Sequence, residues 1–563
     1  MKFVFPIISR RKALIFLNAV YLAAGLAWII LIPYNNAPDE NTHFHYSVEF
    51  ILQHHRLPVW GVDDIERFRH ALSSYNQLPA LNYVLYAIGA ETGRKLFGLE
   101  PYLGARLVSL LWGLVFLNFL FLAARELCAG EKNALIAAAA FVLIPQVFFS
   151  FCYVNGDAHS LAIAAVFTFA LARFFRRPDT TGIIFAGAAI GLLFSAKYNY
   201  YIYFPCLAVL LAWTAWRGAV SPKTIVRLAI SAVVLSLLIS GFWFIRNYFL
   251  YNSPLPLFLS EEISSGAALA REVHPVNRGL SIASLGWLVK QGFIRSTFDS
   301  FFAVFGYLNV GFRRWVYLIL ELAVPALAAL FAIDLLRKKD RGAIRALIAL
   351  CLMAGAVIGM HVWACLTFDY QAQGRYNFTL IAPATLFAAW ATTRVPSLKK
   401  YVFIFLIMTA GLFIGANVLI ARTYAPPVRF FISQTDRTGG AERTEKVATS
   451  AKRVEKNYYA TPALAWNKAG GGIRIEFSKK FLARYRDLKI ELETDNGLEI
   501  ISDWNAAPPR EITGLIYDGR LNAFETRGGN AGFSLFLRAT DAAVRSIKIT
   551  CRIENRRLYD PDL

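Results

Sequence analysis

An acidic pair followed by a histidine, Asp39-Glu40-Asn41-Thr42-His43, stands directly after the first long apolar stretch of the chain. If Pro38 opens a helical turn, Asp39 and His43 share a face at i,i+4 with Glu40 beside them. Adjacent carboxylates suit two tasks, holding a hard divalent cation and taking a proton from a hydroxyl. The blander reading is a helix N-terminus whose acids complement the dipole. A third carboxylate stands in Asn155-Gly156-Asp157-Ala158-His159, where Asn155 or Asp157 also reads as a helix cap. Cations follow at Lys197, at Arg246 in Trp243-Phe244-Ile245-Arg246-Asn247-Tyr248, and at Arg375 in Gln373-Gly374-Arg375-Tyr376. Each cation taken alone is an anchor among interfacial aromatics. Together with the carboxylates, three of them on one face would suit an anionic lipid phosphate.

Whether they share a face depends on the elements between them. The 563 residues are 56% hydrophobic and only 17% charged, which excludes an ordinary soluble domain. Apolar stretches of about 16 to 23 residues recur along the first 420 positions, and about 20 such residues cross a hydrocarbon core. The expected spans are roughly 14–33, 103–125, 133–152, 158–175, 182–197, 201–216, 224–246, 315–336, 344–366, 376–393 and 401–420. The run before the first span is basic, with Arg10, Arg11 and Lys12, and has no small-residue cleavage site, so it reads as an uncleaved anchor with a cytoplasmic N-terminus. The loops holding Arg125 and Lys132, Arg173 to Arg177, Arg217 to Arg227, Arg337 to Arg345, and Arg394 to Lys400 then fall inside. The acidic pair, the Asn155-Gly156-Asp157 turn, Lys197, Arg246 and Arg375 fall outside. Residues 78–97 are apolar but end in Glu91, Arg94 and Lys95; a span there would invert every later loop, so an amphipathic helix on the outer surface is expected.

These choices give a polytopic α-helical membrane region over 1–421, with outer loops 34–102 and 251–313, and an extracytoplasmic β-rich region over 422–563. In that tail, Ile473 to Phe477 and Leu488 to Leu492 alternate at period two, and turn residues at 495–497, 518–519 and 528–530 separate further strand-like runs. A small β-sandwich is expected, entered by a linker at 433–457. A lone cysteine in the tail, Cys551, supports no internal disulfide framework. The net charge of +21 is accounted for by topology-setting inner loops and anionic lipid, and there is no phosphate-binding P-loop, so neither a nucleic-acid partner nor ATP-driven chemistry is expected.

The ordered outer motifs resemble the GT-C superfamily of polytopic glycosyltransferases, closest to a bacterial branch with a PPDE-x-x-H first loop. The corresponding residues are Asp39, Glu40 and His43, then Asn155 and Asp157, then Arg246, Asn247, Tyr251 and Pro254, then Gln373 to Tyr376. Ala37 stands where a first Pro is common and Asn252 where Gly is. The resemblance covers about 14–420 and implies sugar transfer, in a bacterial cytoplasmic membrane, from a polyprenyl-phosphate-linked donor to an envelope glycan, lipid or protein. Such a donor is sensible because nucleotide sugars stay in the cytoplasm. Asp39, with Glu40, is then the expected catalytic pair. Asp39, Glu40, Asp157 and His43 are the expected ligands of a divalent Mg or Mn ion. Asn155, Lys197, Arg246, Asn247, Arg375 and Tyr376 are expected to bind substrate. A lipid-linked glycan polymerase or ligase, a transporter or flippase, and a membrane scaffold are the rival classes. Glu321, inside the eighth span, is the main exception to the outer-rim grouping and suits either an ion path or a packed hydrogen bond.

Overall fold

The structure is a computed structural model that describes residues 10–63, 75–128, 130–256, 278–367 and 370–424, together with strands between 428 and 555. Its contacts divide into two compact units, one of Met1–Ile29, Asp39–Phe305 and Gly311–Asn417, the other of Ile30–Pro38, Gly306–Val310 and Val418–Leu563.

The first unit is helical. In chain order its helices are α1 (Arg10–Leu31), α2 (Glu40–His43), α3 (Phe50–His54), α4 (Leu81–Phe97), α5 (Pro101–Leu127), α6 (Glu131–Val142), α7 (Pro145–Ser150), α8 (Gly156–Arg176), α9 (Thr180–Leu193), α10 (Tyr203–Trp216), α11 (Pro222–Ile239), α12 (Gly241–Tyr251), α13 (Ile282–Lys290), α14 (Phe293–Phe302), α15 (Arg314–Arg337), α16 (Arg341–Thr367), α17 (Ile381–Arg394) and α18 (Lys399–Tyr424). Local chemistry sets many of the starts. Proline opens α5, α7 and α11 at a position whose N–H has no helical partner. The side chains of Asn155, Asp179, Ser221 and Ser281 accept first-turn N–H groups of α8, α9, α11 and α13.

Every expected span falls on a helix, but among the described residues seven are long and apolar enough to cross a membrane: α1 from Lys12, α5, α8, α11, α15, α16 and the stretch Pro396–Tyr424 that contains α18. The other four expected spans are shortened or broken. The stretch 133–152 splits into α6 and α7 ahead of Pro145, and 376–393 begins as a 3-10 turn over Gly374–Leu380 before α17. In α9 and α10 there are 14 residues each, a length of about 21 Å against a core of about 30 Å. Span 224–246 also breaks, at Ser240, into α11 and α12.

Helix α4, expected as amphipathic, packs closely on α5. A Cβ on Gly104 would run into the Gly89 carbonyl oxygen and lie 2.9 Å from Ala90 Cα. Gly104→Ala is therefore expected to pry the two helices apart and cost about 1–3 kcal/mol, read as a lower Tm; an unchanged Tm would contradict this close approach. Aromatic rings fill the centre of the unit, where Trp28 meets Phe148 edge-on at 5.0 Å and Phe305 at 5.4 Å. The Trp28 indole N–H finds Asn417 Oδ1 at 2.9 Å.

In the second unit twelve described strands join as one connected antiparallel set. Strand Val544–Asn555 pairs with Ala483–Thr494, placing Ile549 opposite Ile490 and Ile547 opposite Leu492. Leu488, Ile490 and Leu492 are buried while Lys489 and Glu491 between them are not, as period-two alternation requires. The expected linker at 433–457 is corrected in part. Val447–Glu455 is a strand that pairs with Val428–Thr435, from Val428–Ala451 to Ile432–Val447, because a main-chain ladder needs no run of large apolar side chains.

Candidate active site

Asp39 sits immediately before α2 with φ at 60°, in the left-handed region, where only glycine, asparagine and aspartate are comfortable. Its carbonyl accepts the His43 N–H at 3.0 Å, so the short helix begins on this strained residue. That kink turns the neighbouring side chains to different partners. Glu40 does not join Asp39. It enters a fully buried bidentate ion pair with Arg106 of α5, Nε to Oε1 and Nη2 to Oε2 both at 2.6 Å. Arg106 Nη1 also donates to the Ile29 carbonyl at 2.9 Å, so one guanidinium ties the end of α1 to the loop beside Asp39.

The Asp39 carboxylate faces Arg375 in the Gly374–Leu380 turn, with Nη2 2.9 Å from Oδ2. The other guanidinium nitrogen, Nη1, lies 3.9 Å from Asp157 Oδ2, and Asp157 Oδ1 accepts from Lys197 Nζ at 3.2 Å. Lys197 and Arg375 both lie over the ring of Tyr376, at 5.2 and 5.6 Å. The result is an alternating chain of acid and base, Asp39–Arg375–Asp157–Lys197. Arg375 is 6% exposed while Asp39 is 27% exposed, so Asp39 is its open end. Arg375 Nε is buried and has no hydrogen-bond acceptor among the described residues, leaving a donor on a guanidinium that already faces two carboxylates.

Position in the fold follows from the neighbours. Asn155 caps α8, its Oδ1 taking the N–H groups of Asp157 and Ala158 at 2.7 and 2.9 Å and its Nδ2 donating to the Ser150 and Tyr153 carbonyls. The Asn155 carbonyl accepts from Asn82 and Tyr86 of α4. Gly374 is forced by the backbone of α14, since a Cβ there would lie 2.6 Å from Phe301 Cβ, and its N–H donates to Ser300 Oγ at 2.8 Å.

Electrostatics follow the geometry. Burial would raise the Asp39 carboxyl, but the charge and hydrogen bond of Arg375, with His43 and the Tyr75 hydroxyl, outweigh it and hold the group at about 2. His43 is pushed down to about 3, first because burial disfavours its cation; Asp39 pulls upward, and Lys197 and Arg375 oppose that pull. Its Nδ1 meets Tyr83 OH at 2.8 Å and its ring stacks on Tyr75 at 4.0 Å. His43 is thus a neutral, wedged ring that supports the loop.

The structure therefore gathers Asp39, Asp157, Lys197, Arg375 and Tyr376 and separates the rest of the expected set. Asn155 spends its side chain on capping. Arg246 Nη2 donates to the Pro58 carbonyl at 2.7 Å, and Asn247 Nδ2 to the Pro254 carbonyl at 3.4 Å, so both brace loops instead of joining the cluster. The expected divalent-metal set does not converge: Glu40 is engaged by Arg106, His43 by Tyr83, and both aspartates by cations. Among the described residues no group of three His, Cys, Asp or Glu is placed to hold a metal ion. Glu321 is no ion-path residue standing alone. It pairs with Arg314 Nη2 at 2.6 Å, and Asp299 takes Arg314 Nη1 at 3.2 Å.

Arg106, Tyr75 and Tyr83 are the supporting residues that sequence reasoning missed. Only Arg106 carried a usable signal, a cation inside an apolar stretch, which demands a buried partner.

Residues 84–243 match the model of the family described as dolichyl-phosphate-mannose-protein mannosyltransferase. That family lies in the GT-C superfamily of membrane glycosyltransferases, so the resemblance seen in the outer-loop motifs stands on a second footing. No curated protein matches the chain. Among solved structures the chain is similar to ArnT from Cupriavidus metallidurans in the apo state, at 15% identity over 74% of this chain and 78% of that one, with a TM-score of 0.44. It is similar also to the Archaeoglobus fulgidus oligosaccharyltransferase in complex with Zn and sulfate, at 16% identity over 71% of this chain and 52% of that one, TM-score 0.43. A third is the arabinosyltransferase EmbB from Mycobacterium smegmatis, at 10% identity over 99% and 66%, TM-score 0.30.

Proposed function

We propose that the chain is a membrane glycosyltransferase of GT-C type that moves a sugar from a polyprenyl-phosphate donor to an acceptor hydroxyl on the outer face of an eleven-span bacterial inner-membrane region, five of the spans being short or broken. The observation that carries this reading is Arg375, a buried guanidinium with an unused Nε–H beside an accessible carboxylate.

In the reaction the acceptor oxygen attacks the anomeric carbon. The bond from that carbon to the phosphate oxygen breaks, its electron pair stays with the phosphate, and the hydroxyl proton passes to Asp39. Arg375 and Lys197 stabilise the charge that gathers on the leaving phosphate. A carboxylate held at about 2 is a weak base. Donor phosphate competing for Arg375 loosens its grip on Asp39 and raises the basicity of that carboxylate as the substrate arrives. Both aspartates already being neutralised by side-chain cations, no step requires a metal ion.

Purified protein in lipid nanodiscs, given a defined polyprenyl-phosphate sugar and scanned with short glycan and peptide acceptors, is expected to release polyprenyl phosphate in step with product. Donor left intact with every acceptor class, by protein that binds the donor, would oppose the reading.

The pH dependence has a defined sign. Because the Asp39 pKa is depressed, its pairing stabilises the fold above about pH 4 and is lost as pH falls toward 2. The free enzyme therefore keeps Asp39 ionised throughout the neutral range, and kcat/KM is expected to show no acidic limb from Asp39 between about pH 5 and 8. A limb centred near pH 6 that disappears in Asp39→Asn would contradict this.

A further inference from the structure

Helix α13 has two apolar sides. Ser284 and Leu288 face inward, Leu288 clustering with Phe293 of α14, with Cys365 and Leu366 at the end of α16, and with Ala372. Ile282, Leu285 and Val289, spaced i, i+3, i+7, form a stripe on a second side that none of the described residues covers, with Ile282 90% and Val289 59% exposed. Ile294, at the start of α14, continues the apolar surface at 65% exposure. In water a stripe of this kind is unfavourable, and an outer-loop helix has ample polar alternatives.

Charge and position indicate what covers it. From 278 to 298 the sequence holds Arg278, Lys290 and Arg295 and no acidic residue, and the next residue, Asp299, lies 3.8 Å from Arg295 Nε. All three cations are exposed, and Arg278 lies 4.3 Å over the Trp287 ring. The helix is also fixed to the Thr367 end of α16, one of the helices long and apolar enough to span. It therefore stands at the level where a bilayer ends. Apolar side chains flanked by cations and an indole suit that boundary, with the stripe among acyl chains and the cations on phosphate headgroups.

We propose that α13 and the first turn of α14 form an interfacial lipid-binding element for the acidic headgroups of the surrounding bilayer. The inference is independent of the glycosyltransferase reading. Its structural consequence reaches the ion-pair cluster, because α14 goes on to Ser300, whose hydroxyl accepts the Gly374 N–H next to Arg375. A helix held by lipid at one end braces, at the other, the turn that carries the central guanidinium.

The test is spin-label accessibility in the full chain with its native cysteines replaced, one copy per nanodisc. Labels are placed at Leu285→Cys and Val289→Cys on the stripe and at Gln291→Cys on the far side of the helix. Oxygen, which concentrates in lipid, is expected to relax the labels at 285 and 289 more than a water-soluble nickel chelate does, with the order reversed at 291. Removing the cations in Arg278→Gln/Lys290→Gln/Arg295→Gln is expected to shift the label at 285 toward the nickel reagent in phosphatidylglycerol discs and not in phosphatidylcholine discs. Each cation near such a surface is worth roughly a factor of five in attraction. Nickel access at 285 and 289 equal to that at 291 would overturn the proposal. So would exclusion of both reagents that appears only in discs holding two copies, which would assign the stripe to a second chain. An unchanged label in the triple variant would remove the acidic headgroup from it.

Discussion

Arg375→Lys is expected to lower the turnover of sugar transfer about 10²- to 10³-fold while the protein remains folded. Lysine keeps one positive charge but offers a single point, whereas the guanidinium spans Asp39 and Asp157 from two nitrogens and holds a third in reserve. In the variant one compact ammonium cannot reproduce the two separated nitrogens, so its hold on Asp39 weakens while Lys197 keeps Asp157, and less positive charge faces the donor phosphate. The loss should therefore appear in both kcat and kcat/KM for the donor, since the charge is met on binding and grows as the phosphate departs. Helical content and Tm measured beside the kinetics separate lost chemistry from lost fold. Turnover within about threefold of wild type, in a variant of normal Tm, would remove Arg375 from the phosphate site.

The second large effect concerns Glu40, which the acidic pair had suggested as a catalytic and metal-binding group. The structure gives it a different task. Glu40→Gln leaves the Arg106 guanidinium fully buried with half its pairing gone, and breaking one side of such a pair costs about 3–5 kcal/mol. Arg106→Met should cost about as much by stranding Glu40. The double variant Glu40→Met/Arg106→Met removes both charges, and buried pairs replaced by apolar residues of similar size are often neutral for stability. Its Tm is expected to return toward that of the wild type. Activity should not return with it, because the Arg106 link to the Ile29 carbonyl and the Glu40 link to the Asp39 loop are both gone. Recovery of stability and turnover together would show that the pair positions nothing. Single variants of normal stability that lose turnover would instead return Glu40 to direct chemistry.

The legible parts of this protein were those governed by local pattern. The length of the apolar stretches placed a helix at every expected span, and period-two alternation placed the strands at 473–477 and 488–492. The breaks at Pro145 and at Ser240-Gly241 were open to reading, since proline and glycine interrupt helices, but hydropathy alone ran across them. The sidedness of the loops put Asp39, Asp157, Lys197 and Arg375 in one group, and the structure brings these four side chains together. It could not tell them from Arg246, which shares that face, because sidedness fixes depth and says nothing of lateral position. The left-handed backbone at Asp39 was also hidden, and with it the divergence of Asp39 and Glu40; two neighbouring carboxylates read as partners until a positive φ turns them apart. Arg106 was masked by the apolar residues around it, although a lone cation within a span is itself a reason to look for a buried acid.

The account rests on Asp39 as the group that takes the acceptor proton. Asparagine tolerates the left-handed conformation and keeps the side-chain shape, so Asp39→Asn tests charge and basicity with little strain. The decisive comparison is mass spectrometry of lipid-linked sugars and envelope glycans from cells carrying either the wild-type chain or Asp39→Asn, matched for the amount in the membrane. The expected result is accumulation of one glycosylated polyprenyl phosphate in the variant together with a glycan, lipid or protein that lacks a single sugar. Identical lipid and glycan profiles in the two strains would contradict the account and turn attention to transport or scaffolding.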